Sequence, residues 1–180
     1  PRTGEIGGDP TGRRMEETDI FMIDLSLKYE DQWCDTCRTF FLGEPTEQQR
    51  EAYETVLACL RVGEETVKAG VEASAVKAKV EECLTERGYG GRMPHHAGHA
   101  VGKECYLKPA FEEQCNMTVS DGEIVTLEPG VYFPGEWGVR VENNYIVRGD
   151  RLEKIFDYPT DMEYFIIRRN KSEKSEKTEA

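Results

Sequence analysis

Asp24, Asp35, His99, Glu128 and Glu142 are the side chains in this sequence whose type and setting most suggest chemistry. Four carboxylates and one imidazole suit two hard or borderline divalent ions such as Mn, Fe, Co or Zn, and do not suit a thiolate-type site. Asp24 interrupts the apolar run of Phe21, Met22, Ile23 and Leu25, and Asp35 lies eleven residues later beside Trp33 and Cys34. A two-residue connection at Tyr29 and Glu30 would set Asp24 directly opposite Asp35, with β-carbons about 5 Å apart on one face. Carboxylates so placed repel unless a cation or a shared proton lies between them. A bulge that sends both to solvent is the alternative, because Tyr-Glu is not a favoured turn pair, and hairpin geometry alone leaves the two open.

Glu128 precedes Pro129-Gly130, which ends regular pairing next to a carboxylate. In VRVENNYIV, alternation puts Arg140, Glu142 and Asn144 on one side. Read alone, Arg140 and Glu142 make a surface ion pair worth at most about 1 kcal/mol. The histidines of the chain, His95, His96 and His99, all fall in HHAGHAVG, where Gly98 and Gly102 let the backbone pass close to another group. A lone histidine is more often packing or surface, but clustering favours a metal or catalytic site. Cys34 and Cys37 form a CxxC with no second CxxC or paired histidine at zinc-finger spacing, so as a zinc or redox motif it is weak.

These residues need elements to position them. FMIDLSLKYEDQWCDTCRTFF reads as a β-hairpin around the polar Lys28–Asp31. EPTEQQREAYETVLACLRVG reads as an amphipathic helix, with Tyr53, Val56, Leu57 and Leu60 on one face and Thr46 with Gln49 as a capping box. A second helix is predicted from about Glu72 to Arg87, burying Val76, Val80, Cys83 and Leu84, with Gly88 suited to the left-handed position after its end. GEIVTLEPGVYF and GVRVENNYIV, separated by Pro134, Gly135 and Glu136, suggest another antiparallel pair. Strands, helices, strands is the order of an α+β domain. Residues 1–20 read as an irregular lead-in, and KSEKSEKTEA as a disordered tail.

Composition narrows the function classes. The 180 residues and 20.5 kDa fit one domain, expected over 1–168 with a charged tail over 169–180. The formal charge of −12 does not supply the phosphate-neutralising surface that nucleic acid needs. No apolar run reaches the roughly 20 residues that cross a bilayer, so membrane is not an expected partner. Six cysteines in a chain of this size read as reduced thiols, the pattern of a cytoplasmic protein.

Taken in order, IDLSLKYEDQWCDTCRTFFLGEPTEQQREAYETVL, HHAGHAVG, VTLEPGVY and GVRVEN resemble the successive motifs of the creatinase, aminopeptidase P and prolidase superfamily, and the Asp24–Asp35 interval is the family's. The match covers roughly residues 1–168. It implies the pita-bread fold, a curved antiparallel sheet covered by helices, N-terminally incomplete because family members carry a helical stretch before the segment that begins here. It implies two divalent ions, Mn first and Co, Fe or Zn as alternatives, with no organic cofactor. Asp35 and Glu142 would bridge them, Asp24 would bind one, and His99 with Glu128 the other. A metal-bridging hydroxide would attack the N-terminal or X-Pro amide of a peptide, with Glu128 moving the proton. His95 would contact substrate and Arg140 would orient the carboxylates.

Three positions depart from the family pattern. Tyr106 stands seven residues after His99 where active peptidases carry histidine, and its neutral phenol can donate to an oxyanion instead. Gly7 and Asp9 stand in IGGDPT where histidine is common. These departures keep open a metal-dependent non-peptidase acting on a small metabolite, and a non-catalytic peptide-binding module. Many relatives dimerise, so a homodimer is a further expectation.

Overall fold

The computed structural model describes residues 4–6 and 12–168. Gly7 and Asp9 and the charged tail therefore lie outside the described residues.

Strands β1 (Ile20–Tyr29) and β2 (Gln32–Leu42) form the expected hairpin. Its turn is Glu30-Asp31, one residue later than Tyr29-Glu30, and both turn residues take positive φ, 45° and 63°. That backbone twist matches the twist of the strands, so the turn persists without the usual Asn-Gly. The one-residue difference corrects the pairing: Asp24 sits opposite Cys37, and Asp35 opposite Ser26. Asp24 and Asp35 still share a face, as diagonal neighbours about 7–8 Å apart rather than in direct opposition.

Helix α1 (Glu47–Thr66) starts at the predicted capping box: the Gln49 amide donates to Thr46 Oγ1, and the Thr46 amide donates to Gln49 Oε1 at 2.8 Å. Tyr53, Val56 and Leu60 are buried and Leu57 packs at their edge. Helix α2 (Ala73–Glu86) buries Val76, Val80 and Leu84, with Cys83 half-buried, and Gly88 follows with φ +83°.

Eight further strands complete the fold: β3 (His99–Ala100), β4 (Leu107–Ala110), β5 (Ile124–Leu127), β6 (Gly130–Phe133), β7 (Trp137–Arg140), β8 (Asn143–Arg148), β9 (Arg151–Lys154) and β10 (Ile166–Ile167). One sheet has the order β4-β3-β5-β8-β9, β10 pairs parallel to β2 on the side away from β1, and β6 pairs with β7. The antiparallel pair predicted from Gly122 onward is thus split into two ladders. Strand β9, the 3-10 turn at Met162–Phe165 and β10 had no signal in the sequence reading. The core joins the inner faces of α1 and α2 to Val125, Leu127, Val131, Val139, Val141 and Val147, so the strands that carry the acidic residues rest on a packed platform.

Replacing Glu30 by Asn and Asp31 by Gly should stabilise the chain by about 1 kcal/mol, because both positions need the left-handed backbone that Asn-Gly adopts most easily. Urea unfolding checks this; an unchanged or lower midpoint would show that the turn conformation is not costly.

Candidate metal centre

The two ladders on either side of Glu128 share one register: Leu127 pairs with Asn143, and Gly130 with Arg140. Continuing that register across the gap sets Glu128 opposite Glu142 and Pro129 opposite Val141. The Val141 amide still donates to Pro129 O at 3.4 Å, and the alternation of an antiparallel ladder turns the amides of Glu128 and Glu142 outward. The Glu128 amide donates to Ala97 O at 2.9 Å and the Glu142 amide to Cys37 O at 3.0 Å. Pro129 has no amide to offer. These outward amides tie the hairpin to the histidine segment on one side and to β2 on the other.

Asp35 is fixed on β2 by its amide, which donates to Asn144 Oδ1 at 3.1 Å, and by Asn144 Nδ2, which donates back to its carbonyl. Its carboxylate accepts from Ser26 Oγ at 3.0 Å and Cys105 Sγ at 3.3 Å. His99 reaches the same space because Gly98 brings its segment against β5; a β-carbon there would meet Thr126 O at 2.1 Å. His99 Nδ1 donates to Ala100 O at 2.9 Å, which leaves the Nε2 lone pair aimed at Glu128 Oε1, 3.6 Å away, and Asp35 Oδ2, 3.9 Å away.

Asp35, His99 and Glu142 bring one ligand atom each within 4.8 Å of one another, and so do His95, His96 and Glu128. Asp24 joins neither group; it accepts a hydrogen bond from Arg140 Nη2 at the edge of the site. Arg140 and Glu142 are both buried, and the partner of Arg140 is Asp24, so the surface ion pair of the isolated strand reading is corrected. Arg140 Nη1 also donates to Tyr132 Oη at 3.1 Å. The Tyr132 hydroxyl is 2.9 Å from His95 Nε2, and His95 Nδ1 donates to His96 O at 2.6 Å. Tyr106 is exposed, with its ring centroid 4.7 Å from that of His99 and 5.3 Å from that of His96.

The sequence reading passed over Tyr132, Ser26, Cys105 and Asn144 as site residues, and His96 as more than a neighbour. Tyr132 did leave a signal: it follows Glu128 by four residues on an alternating strand, and a β-carbon on the intervening Gly130 would sit 2.7 Å from its ring. Cys34 and Cys37 offer no chelate, since residues three apart on a strand face opposite ways. All six thiols are free, and burial pushes Cys37 up to about 12.

The electrostatics are dominated by desolvated like charges. Burial, reinforced by Glu128, Asp35 and Asp24, raises the Glu142 carboxyl well above its ordinary value of 4.5. Burial raises Asp24 as well, with Arg140 opposing. Burial would lift Glu128 too, but His96, His95 and Arg140 outweigh it and hold that carboxyl low. His95 is lowered to about 4 by burial, so at neutral pH its ring is uncharged and its Nε2 accepts from Tyr132. Glu128 Oε1 and Glu142 Oε1 are buried without a hydrogen-bond partner. Orphaned carboxylate oxygens facing an imidazole lone pair fit hard or borderline divalent ions.

The sequence pattern of metallopeptidase family M24 matches residues 1–149. The chain belongs to this family. An Xaa-Pro dipeptidase of Pyrococcus furiosus is 34% identical over 148 residues, which is 82% of this chain and 42% of that protein. Among solved M24-like structures, an X-Pro aminopeptidase from Thermotoga maritima superposes with a TM-score of 0.87 at 26% identity, covering 92% of this chain and 46% of that one. An Xaa-Pro dipeptidase from Bacillus anthracis gives 0.86 at 31% identity, covering 92% and 46%. The fold is therefore the pita-bread fold, and the chain spans less than half the length of the relatives it matches.

Because Glu142 holds its proton more tightly folded than unfolded, the metal-free M24 chain should lose stability as pH rises from about 4.5 through the raised folded value. Glu142→Gln should flatten that slope and raise stability at pH 7. Added Mn or Co should reverse the ranking; chemical unfolding with and without chelator measures both.

Proposed function

We propose that this chain carries the dinuclear centre of a metal-dependent peptidase that cleaves the N-terminal or X-Pro amide bond of short peptides. The observation that carries this reading is the buried opposition of Glu128 and Glu142, with Asp35 and His99 facing the same space and no hydrogen bond to quiet either orphaned oxygen. Asp35 and Glu142 would be shared between two divalent ions, Asp24 would serve one, and His99 with Glu128 the other. When bound, the ions supply a water of lowered pKa and a Lewis acid for the scissile carbonyl.

The chain's own groups do the rest. Glu128 takes a proton from the attacking water and returns it to the departing amine. Arg140 orients Asp24 and opposes the burial that raises its carboxyl, and is itself held by Tyr132. His95 lies with His96, Met93 and Lys77 on the wall of a cavity of about 560 Å³, where substrate can rest against its neutral ring. Tyr106, above His99, presents a hydroxyl to the developing oxyanion. The Xaa-Pro names of the relatives support the substrate class.

Incubating the Mn- or Co-loaded chain with Xaa-Pro dipeptides and longer X-Pro peptides should release the residue before proline. Glu128→Gln should lower kcat by about 10²–10⁴-fold. Absence of turnover on every peptide by a metal-replete chain would sink the reading, and turnover of a small amide alone would move it to a non-peptidase of the same fold. Tyr106→Phe should reduce kcat by about 10²-fold with little change in KM, as expected for a donor used only in the transition state; a change confined to KM would assign Tyr106 to ground-state binding.

A further inference from the structure

The family's implied ligand set leaves one group at the centre unassigned. His96 Nδ1 is buried, has no hydrogen-bond partner, and lies 3.1 Å from Glu128 Oε1, which is equally without one. The two atoms attract as charges, which helps hold the Glu128 carboxyl low, but they are not aligned to hydrogen-bond each other. His95 is excluded from relieving this, because both its ring nitrogens are engaged, one by the His96 carbonyl and one by Tyr132.

Ligands held about 2.0–2.2 Å from a common ion stand roughly 2.8–3.6 Å apart between right-angled and tetrahedral arrangements. The separations from Glu128 Oε1, 3.1 Å to His96 Nδ1 and 3.6 Å to His99 Nε2, both fall in that span. The rings of His96 and His99 meet edge-on at 87° with centroids 5.3 Å apart, and Tyr106 packs against both. Their planes are thus fixed before any ion arrives.

We propose that His96 is a second imidazole ligand to the ion held by His99 and Glu128, so that this end of the centre adds two nitrogens to its carboxylates while the Asp24 end presents oxygen alone. The proposal rests on the dinuclear reading above. Two nitrogens make the first position favour Co, Zn or Fe over Mn, and the two positions of unequal affinity.

The test uses the whole 180-residue chain, its His96→Ala and His96→Asn variants, and Co or Zn alone as probe. Titration calorimetry with metal analysis reads affinity and stoichiometry. X-ray absorption of the loaded protein reads imidazole scattering, with far-ultraviolet circular dichroism to confirm folding of each variant. The expected result is two imidazoles per two ions in the parent chain and one in the variants. The tighter site should weaken by more than the roughly 10–100-fold that losing an outer-shell partner costs. Two bound ions with a single imidazole between them, or variants whose affinity and scattering match the parent, would overturn the role of His96 and leave the dinuclear reading standing. A parent chain that binds no ion would overturn both.

Discussion

Two carboxylates held face to face in the interior govern the rest of this structure. Glu128 and Glu142 occupy opposing positions of one hairpin register, both nearly fully buried, and the ladder on each side is regular. A buried ionised carboxylate without partners costs several kcal/mol, and two in opposition cost more, so the chain alone cannot favour this arrangement locally. It is held by everything around it: α1 and α2 packed beneath, and the amides of both glutamates tied to other segments rather than to each other. An ion that binds only the folded state removes the repulsion and stabilises that state by mass action.

The surrounding polar groups answer the same problem from one side only. Arg140, the one buried guanidinium directed at the carboxylates, is bonded to Asp24 and to Tyr132, and the hydroxyl of Thr39 accepts from its amide at 2.9 Å. Arg38, also buried, spends its donors on carbonyls of Cys37, Glu142 and Pro159 and on Asn143 Oδ1, so it locks β2 to the start of β8 without neutralising a carboxylate. One guanidinium against four acidic and three imidazole side chains leaves a negative centre lined by lone pairs. On the Asp24 side the nearest donors are already committed to protein oxygens, whereas on the His96 side they are not.

Much of this was legible in the sequence, and what was not has physical causes. The helices announced themselves through period, capping box and terminal glycine because those signals act within a few residues. The Asp24–Asp35 hairpin was legible, but its register was not: Glu30 and Asp31 take left-handed backbone that their residue types seldom adopt, so turn chemistry pointed one residue early. A shift of one in the turn moves the cross-strand partner by two, which turns opposition into a diagonal. Direct opposition does occur in this centre, between Glu128 and Glu142, where Pro129 hides the continuity of the strand. Strand β10 and the 3-10 turn were invisible because they are held by distant partners such as β2 and α1, not by local propensity.

Each prospective metal ligand after β2 sits where regular pairing fails. The ladder between β3 and β4 shifts register at His99/Ala100, β5 stops at Leu127 just before Glu128, and β7 stops at Arg140 two residues before Glu142. The outward amides of Glu128 and Glu142 and the amide of His99 each anchor to a neighbouring segment, which is how three sequence-distant stretches meet to within hydrogen-bonding distance. Gly98, at φ +149° against Thr126 O, is the narrowest point of that convergence, and any side chain there would push His99 away from the glutamates. The sheet thus gives up local regularity only where the centre is assembled, while Val125, Leu127, Val139 and Val141 on either side remain fully buried and keep the broken strands from moving.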